Sequence, residues 1–162
     1  MLVSLSGKTA LITGGCGGLG LAISKAFLKA GANAIACDIN SANDKAFRDS
    51  EDASSPGRLL THQCDVTNEQ SLEQLFKAST NEFGTIDYVI NNAAVMDAFD
   101  PVGTCDKTTW DRVIATNITA PYMVSRLAVQ HMLENSVKGA VVNVASLAAT
   151  KAYAGGIHCL GI

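Results

Sequence analysis

The segment Thr13-Gly14-Gly15-Cys16-Gly17-Gly18-Leu19-Gly20 places five glycines in eight residues, directly after the apolar run Thr9-Ala10-Leu11-Ile12. Glycine lets a backbone turn tightly and approach a phosphate, and the free N–H groups at the start of a helix meet its charge. Gly15, Gly17 and Gly20 satisfy the G-x-G-x-x-G spacing, and Asp38 closes the next apolar run, where a carboxylate can accept both hydroxyl hydrogens of an adenosine ribose. The same carboxylate repels the extra phosphate of NADP, and no Lys or Arg directly follows it. These residue types predict a dinucleotide site that prefers NAD. The plain alternative for Asp38 is a strand end or turn cap.

The elements that must hold these groups alternate along the chain. After the turn, Leu19, Ala22, Ile23, Ala26, Phe27 and Ala30 recur at helical spacing and Gly31 supplies the stop. Asn33-Ala34-Ile35-Ala36-Cys37-Asp38 reads as a second, buried strand. A polar stretch follows over 41–58, with a short helix near 44–49 and a Ser54-Ser55-Pro56-Gly57 turn. Leu59-Leu60-Thr61-His62-Gln63-Cys64-Asp65 is the third strand, and Thr67 with Gln70 predicts a capping box for a helix carrying Leu72, Leu75 and Phe76. The fourth strand is Ile86-Asp87-Tyr88-Val89-Ile90, and 95–105 reads as a loop. A helix begins near Asp106 with Trp110, Val113 and Ile114, Pro121 opens a second one toward Asn135, and the fifth strand is Gly139-Ala140-Val141-Val142-Asn143-Val144-Ala145. Such alternation predicts one α/β domain over 1–162 with a mostly parallel sheet covered on both faces, and with the dinucleotide turn it is expected to be doubly wound, Rossmann-type, in the order 3-2-1-4-5.

Composition excludes several other classes. With 162 residues, 48% of them apolar, one domain can bury a core but two cannot. The 12 basic and 15 acidic residues are mixed along the chain, which gives neither a basic stripe for nucleic acid nor a polybasic membrane anchor. The N-terminus has no cationic start and no run approaches the length of a membrane span, so a cytoplasmic protein is expected. Cysteines at 16, 37, 64, 105 and 159 lack Cys-x-x-Cys or zinc-ligand spacing and read as reduced thiols; no metal site is expected.

The turn resembles that of the short-chain dehydrogenase/reductase family, in whose T-G-x-x-x-G-x-G pattern Gly14, Gly18 and Gly20 fall, with Leu19 beside the pyrophosphate. The resemblance runs from about residue 7 to 157. It implies that Asp65 and Val66, in Cys64-Asp65-Val66, contact adenine, and that Asn92 and Ala93, in Asn91-Asn92-Ala93-Ala94, line the cofactor groove, with Ala94 where the family usually has Gly. It also implies that Asn117 orders a water in a proton relay and that Ser146 hydrogen-bonds the substrate oxygen. The activity implied is NAD-dependent hydride transfer between nicotinamide and a small-molecule alcohol or ketone. Helix-break and turn-cap roles are the plain alternatives for Asn117 and Ser146.

The family's Tyr-x-x-x-Lys pair is not found. Tyr153 is followed four residues later by Ile157, Tyr122 by Arg126, and Tyr88 lies inside a strand. An unperturbed phenol, with a pKa of about 10, is roughly a thousandfold too protonated at pH 7 to act as a base unaided. His158, near the end of a glycine-flanked tail, lacks the rigid perch a base needs. A truncated product of a longer dehydrogenase gene is therefore expected, lacking the family's later strands. It leaves the edge along 140–145 open to a second copy or a full-length subunit. An inactive NAD-binding remnant is the alternative to an enzyme. A methyltransferase with a similar turn is a third possibility.

Overall fold

The structure, a computed structural model, describes residues 4–50, 55–97, 101 and 103–147. Strand β1 (Thr9–Thr13) leads through the glycine turn into α1 (Gly18–Lys29), followed by β2 (Asn33–Asp38), α2 (Ser41–Ser50), β3 (Leu59–Gln63), α3 (Glu69–Phe83) and β4 (Tyr88–Asn91). Then come α4 (Lys107–Ile114), a π-turn over Ala115–Thr119, α5 (Ala120–Glu134) and β5 (Ala140–Asn143). The five strands form one parallel sheet in the expected order β3-β2-β1-β4-β5.

Period-two alternation in the strands divides the core between the two faces. Leu11, Ile35 and Val89 point to one side, where they meet Leu72 and Leu75 of α3 and Val124 and Ala128 of α5. Ala10, Ile12, Ala34 and Ala36 point to the other, against Leu28 of α1 and Phe47 of α2. The small residues on this second face let α1 lie close to the sheet and bring the glycine turn over the strand ends. On α5, Ala120, Val124, Ala128 and Met132 recur every fourth residue and face the sheet.

Two polar ties anchor β4. Asp87, buried, accepts from Lys8 Nζ at 2.8 Å and from the Thr9 amide at 2.9 Å, which ties the start of β1 to the residue before β4. His131 of α5 accepts the Ile86 amide on Nε2 at 3.0 Å, satisfying a donor that the sheet leaves unpaired.

Several local expectations need correction. The short helix near 44–49 is a full helix over Ser41–Ser50, held by the buried Phe47 and by Arg48, which bridges Asp44 and Thr61. The cap of α3 is Asn68, whose side chain accepts from the Ser71 amide at 2.9 Å; Thr67 turns back to Asp65 instead. The break expected at Pro121 is absent, because α4 and α5 join through the π-turn with helical backbone throughout and Pro121 stands in the first turn of α5, where its missing N–H costs little. Strand β5 is also shorter than 139–145 and lies at the sheet edge among the described strands, with Val142 52% exposed. No helix among the described residues is long and apolar enough to cross a membrane.

Candidate functional site

Where β1 ends, the Thr13 hydroxyl accepts the amides of Asn92 and Ala93, each at 3.0 Å. The Asn92 carboxamide returns the tie, donating to the carbonyls of Thr13 at 2.9 Å and Gly14 at 3.2 Å. The close approach explains Gly20: a Cβ there would stand 2.0 Å from the Gly14 oxygen and 2.6 Å from Asn92 Nδ2. Gly18 has a different reason, since its φ of 48° suits glycine while a Cβ would meet no protein atom within 4 Å. Space above the turn is thus kept clear of protein. Gly17, the N-cap of α1, offers no side chain to its first amides, and no acidic residue stands in the first turn. Those N–H groups are available for an anion.

The turn forms one wall of a cleft of about 720 Å³ at the carboxyl ends of the strands. Gly14, Gly18 and Leu19 line it on one side, Asp38 at the end of β2 and Asp65 with Val66 beyond β3 on another, and Asn92 with Ala93 beyond β4 on a third. The topology thus brings together eight of the residues singled out in the sequence, and Gly20 packs behind them. Asp38 accepts from the Asn40 amide at 3.0 Å, and Asp65 accepts from the amide and hydroxyl of Thr67 at 2.9 and 2.7 Å. Among the described residues lining the cleft, none is Lys or Arg.

Sequence reasoning missed Ile39, Cys64, Met96 and Thr116, which also line the cleft. Ile39 is 65% exposed at the edge of the cleft, and neither its type nor its spacing signalled this in the sequence. Beneath the turn, Cys16 sits 3.6 Å from the Ala36 carbonyl and 3.6 Å from Asp44 Oδ1. Burial first, then the carboxylates of Asp44 and Asp38, push its thiol up to about 12, so it stays protonated at neutral pH.

The two residues assigned catalytic roles by resemblance lie beside the cleft. Asn117, in the π-turn and 5% exposed, pairs with the backbone of Val95 in both directions: Oδ1 accepts its amide at 2.9 Å and Nδ2 donates to its carbonyl at 3.0 Å. It thereby fastens the segment after β4 to the helix. It also lines a second cavity of about 250 Å³ with Asn91, Ile118, Asn143 and Ala145, and this cavity shares Ala93 and Ala94 with the first. Ser146 follows β5 directly after Ala145 and is half-buried, but it lines neither cavity. Asn91 clamps β4 to β5 by donating to Asn143 Oδ1 at 2.8 Å and also donates to Ser125 Oγ at 3.0 Å; its own Oδ1 is buried with no hydrogen-bond partner among the described residues.

The two described tyrosines are spent elsewhere. Tyr88 packs against Phe27, Tyr122 is exposed on α5, and Arg126 pairs with Glu69. Tyr153, His158 and Cys159 lie outside the described residues. The four described cysteines are free thiols, and the described residues hold no group of three or more His, Cys, Asp or Glu arranged to hold a metal ion.

Known proteins share this arrangement along most of the chain. Residues 8–158 match the family model of the short chain dehydrogenases. A short chain dehydrogenase/reductase of Gibberella zeae is 48% identical over 97% of the chain, and one of Macrophomina phaseolina is 43% identical over 98%. A 3beta-hydroxysteroid dehydrogenase of Eggerthella lenta is 34% identical over 94%. The chain spans 58% of the Gibberella and Eggerthella proteins and 91% of the Macrophomina one. The crystal structure of a short chain dehydrogenase from Bacillus anthracis superposes with a TM-score of 0.88 at 26% identity, covering 94% of this chain and 63% of that one. With the turn, the strand order and the family match in agreement, this chain belongs to the short chain dehydrogenases.

Proposed function

We propose that this chain binds NAD in the cleft and serves hydride transfer between the nicotinamide and a small-molecule alcohol or ketone. The observation that carries the reading is the meeting, within one cleft, of an uncapped helix N-terminus and a strand-end carboxylate, with no Lys or Arg among the described lining residues. The amides around Gly18, Leu19 and Gly20 suit a pyrophosphate, with Gly14 holding the turn open below it. Asp38 suits the two ribose hydroxyls, and a phosphate on that ribose would face a carboxylate without a cation to offset it. Asp65 and Val66 form the wall for adenine; Asn92 and Ala93 line the passage toward the second cavity.

The bound nicotinamide supplies or accepts the hydride. In this reading Ser146 hydrogen-bonds the substrate oxygen, while Asn117 holds the segment after β4 in place and faces the second cavity, where a water of the proton relay would sit. The 162 residues contain no Tyr-x-x-x-Lys pair to move the substrate proton. That fact favours a second reading, in which this chain binds NAD without turnover, by itself or beside another subunit that pairs with the exposed β5 edge.

Calorimetry with NADH and NADPH, followed by NADH oxidation over a panel of ketones, separates the readings. NADH is expected to bind about tenfold or more tighter than NADPH, equivalent to about 1.4 kcal/mol, and Asp38→Ser is expected to close the gap. Absence of heat from NADH defeats the cofactor assignment. Turnover that is lost in Ser146→Ala establishes the enzyme, whereas binding without turnover leaves the second reading.

A further inference from the structure

Beyond Ala94 the chain leaves the sheet, and α4 with the π-turn takes hold of it. Arg112, in the last turn of α4, donates from Nη2 to the Met96 carbonyl at 2.8 Å. Asn117, in the π-turn, holds the preceding residue by both the amide and the carbonyl of Val95. Two side chains of one continuous helical stretch thus grip two successive residues of the segment through three hydrogen bonds.

Regular helix geometry does not favour this arrangement. Residues five apart on an α-helix stand about 140° apart around its axis, so Arg112 and Asn117 would face in different directions. The π-turn narrows that angle, because its bonds run from residue i to residue i+5, as from the Ala115 carbonyl to the Ala120 amide. The irregularity between α4 and α5 therefore has a use: it turns both side chains toward one target.

Val95 and Met96 line the cleft, and so does Thr116, the neighbour of Asn117. Met96 is large, apolar and 56% exposed, so packing alone does little to fix it, and the bond on its carbonyl takes over that task. Arg112 itself is not among the residues that line the cleft. It reaches a bound molecule only through Met96. In the NAD reading, Asp38 meets the adenosine ribose, Asp65 and Val66 the adenine, and the glycine turn the pyrophosphate. The wall from Ala94 to Met96, with Thr116, is what remains for the nicotinamide.

We propose that Arg112 is a positioning residue for the nicotinamide end of the cleft, acting together with Asn117 across the π-turn to hold Met96 beside the ring. This inference rests on the NAD reading. The test uses the full chain and calorimetry with NADH and with ADP-ribose, which carries the same adenosine, diphosphate and second ribose but no nicotinamide. The emission of bound NADH, which reports on the surroundings of the ring, is recorded alongside. Arg112→Met keeps most of the stem and removes the donors. It is expected to weaken NADH about tenfold, the scale of one hydrogen bond from a charged donor, and to leave ADP-ribose within about twofold of the unsubstituted chain. The emission of bound NADH is expected to move toward that of the free nucleotide, and Arg112→Lys to recover most of both losses. Met96→Ala keeps the carbonyl that Arg112 uses and is expected to show the same selective loss, while the double variant loses no more than the larger single loss. Equal weakening of NADH and ADP-ribose in Arg112→Met, as a general loosening of the fold would produce, overturns the proposal. So does unchanged NADH binding in that variant, or single losses that simply add in the double variant, and these outcomes leave the cofactor reading standing. An unsubstituted chain that gives no heat with either nucleotide defeats that reading and the proposal with it.

Discussion

The carboxamide of Asn92 donates to the Gly14 carbonyl at 3.2 Å, tying the end of β4 to the first residue of the glycine turn. Its second bond, to the Thr13 carbonyl at 2.9 Å, makes the tie bidentate. Asn92→Ala removes both donors and leaves partly buried carbonyls to find new partners. A destabilisation of about 1–3 kcal/mol is expected in urea unfolding, with NADH binding weakened beyond what the lost stability accounts for, because the turn itself is released.

Gly20→Ala places a Cβ 2.0 Å from the Gly14 oxygen, a contact that only a shift of the turn can relieve. Overpacking of this kind costs about 1–3 kcal/mol, and NADH affinity is expected to fall with it. Gly103→Ala, whose Cβ would meet nothing within 4 Å, is the matched control and is expected to leave affinity unchanged. Equal losses in the two variants would show that the turn geometry is irrelevant to binding.

Replacing His131 by Leu keeps the volume on α5 and leaves the Ile86 amide without its acceptor. An unsatisfied, partly buried donor of this type costs about 1–3 kcal/mol. Thermal unfolding by calorimetry reads it directly. Asn68→Ala, which removes the side-chain acceptor of the Ser71 amide at the start of α3, is expected to cost about 1 kcal/mol in the same measurement.

Stability should fall toward both extremes of pH for identifiable reasons. The hydrogen bond to Asp87 raises the Lys8 ammonium above its ordinary 10.5, so its contribution is complete below 10.5 and is lost as pH rises through the folded value. The backbone hydrogen bond from Thr109 lowers the Asp106 carboxyl below its ordinary 3.8, so its contribution is present above 3.8 and is lost as pH falls through the folded value. Lys8→Met is expected to flatten the alkaline limb of the stability curve and Asp106→Asn the acid limb, each without altering the other. A curve that keeps both limbs in the two variants counts against these assignments.

Local patterns carried most of the architecture. Continuous apolar runs in 9–12 and 33–38, helical spacing from Leu19 to Ala30, and Gly31 after α1 each reflect demands that a short stretch of backbone makes on its own residues, and those elements stand where they were expected. Boundaries were less readable where side chains compete for one role. Thr67 and Asn68 can both cap α3, and the choice went to Asn68 because Thr67 is drawn to Asp65, which the turn after β3 brings within reach. The continuity of α4 and α5 was hidden for a similar reason, since a π-turn absorbs Pro121 without any signal in the apolar spacing.

By itself the amino-acid sequence determined the alternation of strands and helices, the glycines that keep the turn bare, and the carboxylate of Asp38, because these depend on backbone conformation and on neighbours a few residues away. Only the tertiary structure decided that Asn117 grips Val95, that Asn92 holds Thr13, and that Ser71 reaches Cys64. Those partners lie on different elements, and they meet only because the β3-β2-β1-β4-β5 order brings the carboxyl ends of the strands to a single edge. Hydrogen-bond reach is about 3 Å, and nothing in residue type or spacing reveals which of many polar side chains the packing will bring within it.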